Sequence, residues 1–318
     1  MATVLLDDLQ RSTRAMASDI TVYWRGVGGD EAPELAVDRA LAVFTEVEGA
    51  CTRFVPDSPL MQLNAAPDRW HAVPPVLMRA ILEAHRAYRR TQGRFDPRVL
   101  ADLVALGYDR SLPFAHGDVR TPLGPTPTGR GRPWRPRFRI GTRPEVHLGG
   151  SAIDLGGIGK GLAARWAGEQ LIGDVEAFLV DAGGDCVCRG PGPDGDGWRV
   201  GVEDPSGSDE PLAVLELSDV SCATSSIRLR HWTAGGRPVH HLVDPATGQP
   251  GGAGLAAVTV VAGDPAEAEV WSKSLFLAGG DAIGEEAGRR SLAALWVDLD
   301  GAVHESPALD RYVLWRRA

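Results

Sequence analysis

Of the 33 basic residues in this 318-residue chain only two, Lys160 and Lys273, are lysines, and both stand beside residues able to do chemistry. Lys160 lies in Asp154-Leu155-Gly156-Gly157-Ile158-Gly159-Lys160-Gly161, ahead of a stretch that sets Leu162, Trp166 and Ala167 on one helical face. This reads as a glycine loop feeding a helix N-terminus, where backbone N–H groups and the positive end of the helix dipole suit a phosphate; Lys160 adds a cation. A Walker A loop would need Gly in place of Asp154 and Ser or Thr in place of Gly161. Gly159-x-Gly161-x-x-Ala164 satisfies the looser dinucleotide fingerprint, with no clear βαβ unit around it. By itself the segment is a phosphate site or a plain glycine turn.

Three further groups follow. The apolar run Ala177–Val180 ends in Asp181-Ala182-Gly183-Gly184-Asp185, two carboxylates flanking a bend of the kind Asp and Gly favour for conformational reasons alone. Ala223-Thr224-Ser225-Ser226 precedes His240-His241-Leu242-Val243-Asp244-Pro245-Ala246-Thr247-Gly248. A free imidazole titrates near pH 6.5, so His241 could serve as general base toward a hydroxyl, or could satisfy a turn carbonyl. In Ala268-Glu269-Val270-Trp271-Ser272-Lys273-Ser274-Leu275-Phe276, Glu269 and Lys273 stand at i,i+4, which on an exposed helix is an ion pair of roughly 0.3–0.5 kcal/mol. Arginine would serve such a pair equally, so lysine here points to a compact ammonium rather than a planar fork.

The elements that must position these groups are partly legible. Ala36, Ala40, Val43, Phe44 and Val47 recur at helical spacing, as do Leu77, Ile81, Ala84 and Tyr88. Short β-like runs stand at 177–180, 198–203, 212–217, 255–261 and 293–298, divided by turn residues rather than by regularly alternating helices, which favours α+β over a doubly wound parallel sheet. Between Pro113 and Pro144 seven prolines and seven arginines face the single acid Asp118, a composition expected to exclude regular structure and to form a surface loop, either a variable insertion or a flap over an anionic ligand.

Composition narrows the function. Hydrophobic residues make up 43% of the chain, enough for one large core or two fused lobes, and the net charge of −9 argues against nonspecific nucleic-acid or anionic-lipid binding. Asp7 and Asp8 stand where an export signal needs basic residues, and no apolar run approaches a bilayer span or suggests a membrane anchor. Cys51, Cys186, Cys188 and Cys222 form no CxxC pair; Cys186 and Cys188 read as core neighbours on one strand face, and the expected setting is cytoplasmic.

The order DLGGIGKG, VDAGGD, ATSS, HHLVDPATG, AEVWSKSLF resembles the ApbE family of FAD:protein FMN transferases. Upstream, Met16-Ala17-Ser18-Asp19, Arg53-Phe54-Val55-Pro56-Asp57-Ser58-Pro59-Leu60 with Leu63-Asn64, and Gly93-Arg94-Phe95-Asp96-Pro97 are similar to elements of that family. The resemblance implies a domain over 16–318 after an N-terminal segment 1–15, with two fused α/β lobes and FAD in the cleft between them. It also implies attack of a Ser or Thr hydroxyl of an acceptor flavoprotein on the FMN-side phosphorus of FAD, with AMP leaving. Rival readings are an FAD pyrophosphatase and a non-catalytic FAD carrier or sensor.

Carried over residue by residue, the resemblance implies FAD contacts by Met16, Phe54, Arg94, Phe95, Asp96, Asp154, Lys160 and Val243. It makes His241, Lys273 and Asp154 the candidate catalytic residues. It further implies Mg²⁺, held in the family by an Asp, a Thr and a glycine-loop carbonyl. Here Glu269 replaces the Asp, Lys273 replaces the Thr, and Gly157 supplies the carbonyl. Two expectations stand: a metal held by Gly157, Glu269 and Ser272, or Lys273 in the metal's place, since a protonated ammonium cannot be a ligand.

Overall fold

The strand Leu255–Ala262 buries side chains on both of its faces, which requires a covering layer on each side of the sheet that contains it. The computed structural model describes residues 9–26, 31–114, 119–125, 127 and 133–317. It places this strand in an eight-stranded sheet ordered Leu9–Ala15, Ser18–Arg25, Ala177–Ala182, Cys186–Arg189, Ser221–Ser226, Leu255–Ala262, Ala293–Asp298, Val303–Glu305. Every neighbouring pair is antiparallel. This is the α+β arrangement expected from the run of strands.

Seven α-helices occur among the described residues: α1 Glu31–Cys51, α2 Pro59–Ala65, α3 Pro75–Arg90, α4 Leu100–Ala105, α5 Gly159–Leu171, α6 Pro265–Phe276 and α7 Gly280–Arg289. Helix α1 turns Ala36, Val37, Ala40, Phe44 and Val47 inward, all fully buried, the stripe its 3.6-residue period dictates. Helix α5 lies between α1 and α6, and α6 lies across the strands Ser221–Ser226 and Leu255–Ala262. The opposite face of the sheet, carrying Leu179, Val261 and Leu295, is covered by the strands Trp198–Val202, Ala213–Leu217 and Val313–Arg316. All four cysteines are free and buried, with Cys186, Cys188 and Cys222 in that second core.

The segment 113–144 departs from expectation. Arg120–Thr121 pairs in parallel with Thr233–Ala234, Arg137–Arg139 pairs antiparallel with Glu145–His147, and Trp134 is buried. The prolines flank these short strands instead of interrupting them, so the backbone N–H groups the ladders need are present. Residues 115–118, 126 and 128–132 of that segment lie outside the described residues. Among the described residues no helix is long and apolar enough to cross a membrane.

Candidate active site

The glycine loop hangs on three anchors. Asn64, near the end of α2, exchanges two hydrogen bonds with the Ile153 backbone (2.8 and 2.9 Å), and the Asp154 N–H donates to the Pro97 carbonyl at 2.7 Å. The Asp154 carboxylate then folds the loop back, accepting from the Gly156 N–H at 2.7 Å and forming an ion pair with Arg53, whose Nε lies 3.0 Å away. Arg53 itself is buried; its Nη1 donates to the Tyr108 carbonyl at 2.6 Å, and its guanidinium lies 4.3 Å from the ring centroids of both Phe54 and Tyr108. A buried charge of this kind persists because it is paired, hydrogen-bonded and stacked. Asp154 thus acts first as the fastener of the loop.

Beyond the loop, α5 packs against α6 at backbone contact. An added Cβ on Gly161 would stand 2.6 Å from the Pro265 carbonyl oxygen and 2.7 Å from Ala266 Cα. That closeness brings Glu269, 1% exposed, to the first turn of α5, where its Oε2 accepts from the Gly161 N–H at 2.8 Å. Glu269 Oε1 accepts from Lys273 Nζ at 3.1 Å. The Lys273 stem runs along the loop, since a Cβ at Gly157 would meet Lys273 Cδ at 3.4 Å and Phe95 Cε2 at 3.1 Å. The Glu269 carboxylate at the α5 N-terminus takes up one of the N–H donors, that of Gly161, that the sequence had offered to a phosphate.

Lys160 points the other way from that first turn, toward the carboxylate of Asp185, with the Ala182 carbonyl 3.5 Å off. Asp185 is buried and also accepts from the Thr224 N–H at 3.2 Å, so the DAGGD bend and the ATSS strand converge on one lysine. Neighbouring Asp181 accepts from the Gly184 N–H, and burial pushes its carboxyl up to about 6. His241 is half-buried with Nδ1 3.2 Å from the Arg230 carbonyl, which places the proton on Nδ1 and leaves Nε2 as the acceptor nitrogen. Burial, with Arg230 and Lys273 nearby, holds this imidazole well below its ordinary range, so it is neutral.

The remaining candidates are more dispersed. Met16, at φ +54°, donates its N–H to Glu48 and sets its methyl 3.1 Å from where a Gly159 Cβ would stand. Phe54 is 41% exposed over Arg53, whereas Phe95 is buried against Gly157. Arg94 pairs at 3.2 Å with Glu286 of α7, and Asp96 caps the short turn Pro97–Val99 while holding Arg98. Val243 is buried in the cluster of Tyr108 and Trp232. Gly157, Phe95, Glu269, Gly161 and Lys273 are therefore brought together; Arg94, Asp96 and Val243 hold surrounding elements. Arg53, Tyr108 and the Asp185 link to Lys160 are what sequence reasoning missed. The Arg-Phe pair at 53–54 was the one available signal for the first of these.

These residues do not fit a divalent cation. Both oxygens of Glu269 are engaged, one by the Lys273 ammonium and one by the Gly161 N–H. The Ser272 hydroxyl donates to the Glu269 carbonyl at 3.0 Å and shares a 2.8 Å bond with Ser225 inside the core. Among the described residues no three His, Cys, Asp or Glu side chains stand together as a metal site.

One pH effect follows from the same neighbourhood. His240 accepts from the Leu242 N–H on Nδ1, lies edge-on to Phe276, and is held by burial at about 4, against 6.5 for a free imidazole. The unfolded chain therefore binds the extra proton first, and stability falls as pH drops from 6.5 toward 4. Asp181 acts in the opposite sense, its raised pKa favouring the fold at low pH, so the test is a difference. His240→Asn is expected to flatten the loss of melting temperature between pH 7 and 4.5 by the equivalent of about 2 kcal/mol.

Comparison with known proteins now bears on this arrangement. The ApbE family model matches residues 16–296, and the chain belongs to the ApbE family. Among curated relatives, the FAD:protein FMN transferase of Escherichia coli K12 is 28% identical over 151 residues, 47% of this chain and 43% of that protein. The match thus spans less than half the length of that relative. The FAD:protein FMN transferase of Treponema pallidum is 27% identical over 263 residues, 77% of this chain and 71% of its own. In structure, the ApbE protein of Thermotoga maritima matches with a TM-score of 0.79 at 23% identity, covering 98% of this chain and all of that one. The apo flavinyl transferase ApbE of Pseudomonas stutzeri matches with a TM-score of 0.77 at 22% identity, covering 96% of each. The fold is that of these proteins.

Proposed function

We propose that this protein transfers FMN from FAD to a Ser or Thr hydroxyl of an acceptor flavoprotein and releases AMP. The observation that carries the reading is the family match across 16–296, over the glycine loop, both lysines and His241. In the step, the acceptor Oγ forms a bond to the FMN-side phosphorus and the bond from that phosphorus to the bridging oxygen breaks. AMP departs with the bridging oxygen, and the hydroxyl proton passes to Nε2 of His241. The Nδ1–H of His241, held on the Arg230 carbonyl, keeps Nε2 aimed as acceptor.

Positioning and charge supply most of the rate in such phosphorus chemistry. Lys160, steadied by Asp185, and Lys273, steadied by Glu269, put two ammonium groups beside the loop for the oxyanions. Met16, Phe54, Arg94, Phe95, Asp96 and Val243 are the proposed flavin contacts, with Asp154 setting the loop. The four free cysteines suit a reducing, cytoplasmic setting.

The test mixes the protein with FAD and an acceptor flavoprotein and reads the acceptor by mass spectrometry. A gain of one FMN less one water, with AMP released in equal amount, is expected. Free FMN and AMP with unmodified acceptor would instead mark a pyrophosphatase, and FAD held intact would mark a carrier.

A further inference from the structure

We infer that the ammonium of Lys273 is the resident cation of this site, standing where a divalent ion would otherwise sit, so that the phosphate chemistry needs no divalent metal. The inference rests on the transferase reading for its purpose, but its geometry is independent of it. Lys273 enters the glycine loop along its backbone, with Cδ and Cε 3.4 and 3.5 Å from the position of a Gly157 Cβ. Its Nζ gives one hydrogen bond, to Glu269 Oε1 at 3.1 Å, and that is the only partner of Nζ among the described residues. An ammonium has three N–H donors, so two remain for the oxygens of a bound pyrophosphate.

Glu269 explains why the charge stays. The carboxylate is almost wholly buried, and its second oxygen is fixed by the Gly161 N–H. A buried carboxylate must be paired with a cation, and the lysine four residues on meets that need from within the chain. A metal would have to displace Lys273 from Glu269 and would find no help from Ser272, whose hydroxyl is bonded on the sheet side of α6. Arginine, abundant elsewhere in the chain, would bring a planar fork in place of this compact point charge.

The experiment reads metal binding and FAD binding separately. Mn²⁺ is titrated into the protein and free ion is followed by electron paramagnetic resonance; the wild-type chain is expected to leave the signal unchanged. Uptake of one equivalent by the wild type would overturn the assignment. In parallel, FAD affinity is measured by flavin fluorescence in EDTA and in Mg²⁺, where equal affinities are expected for the wild type. Lys273→Met is expected to weaken FAD by about 10–100-fold in either buffer, the scale of a lost charge-assisted contact. Wild-type affinity that collapses in EDTA, or a Lys273→Met variant that binds FAD undiminished, would also overturn it. Should FAD bind under neither condition, the transferase reading fails, and the Mn²⁺ titration still decides for Lys273.

Discussion

Gly161→Ala is expected to lower the stability of this protein by about 2 kcal/mol, although alanine is the better helix former by about 1 kcal/mol. The reason is the contact of α5 with α6: the new methyl would meet the Pro265 oxygen at 2.6 Å, Ala266 Cα at 2.7 Å and Ala266 N at 2.8 Å. All three are backbone atoms, so no rotamer change relieves the overlap, and the helices must separate. Separation would stretch the bond from the Gly161 N–H to Glu269 and shift Lys273 against Gly157, so on the proposed reading FAD affinity is expected to fall with stability. Gly49 provides the contrast. It lies in α1 with nothing within 4 Å of its added Cβ, and Gly49→Ala is expected to raise stability by about 0.5–1 kcal/mol. Thermal melts of the two variants should move in opposite directions; a Gly161→Ala protein that melts at or above the wild-type temperature would refute the close-packing argument.

Sequence alone carried the helices with strong periodicity and the order of the motifs, because both are local properties. Helix α1 and helix α3 announce themselves by apolar spacing, and the strand Ala293–Asp298 by its short apolar run between turn residues. The strand Ser221–Ser226 does not, for it is built of Ser, Cys, Ala and Thr whose small side chains allow α6 to lie close on the sheet. The strand Leu9–Ala15 is equally silent. It is an edge strand with mostly exposed side chains, held by its ladder to Ser18–Arg25 and by the Ser12–Thr21 hydroxyl pair rather than by an apolar face.

The site divides along the same line. Glu269 and Lys273 are four residues apart on one helix, and their pairing follows from helical geometry alone. Arg53 meets Tyr108 across 55 residues, and Asn64 meets Ile153 across 89; neither contact leaves a mark in local spacing. Burial changes the meaning of what spacing does show. The i,i+4 pair that would be weak on a surface is here the partner of an enclosed carboxylate, and the glycine-loop donor at Gly161 is already occupied by that same group. The phosphate would then be read by the two ammonium groups more than by the helix terminus.

Lys160 is where that distinction becomes measurable. Lys160→Met leaves Asp185 enclosed without its cation, with only the Thr224 N–H at 3.2 Å among the described residues to satisfy it. Breaking a buried pair on one side costs about 3–5 kcal/mol of stability, while replacing both partners costs much less. Lys160→Met is therefore expected to be more destabilised than the double variant Lys160→Met/Asp185→Leu, as measured by denaturant midpoints at neutral pH. For the proposed transfer reaction, loss of one preorganised charge at the phosphate is expected to lower kcat/KM by about 10²–10³. If Asp185 influences FAD through the lysine it positions, Asp185→Asn should reduce FAD affinity in the wild-type background and have no further effect on it once Lys160 is methionine. Two independent reductions that simply multiply in the double variant would show that Asp185 and Lys160 do separate work, and the coupling drawn from their ion pair would have to be abandoned.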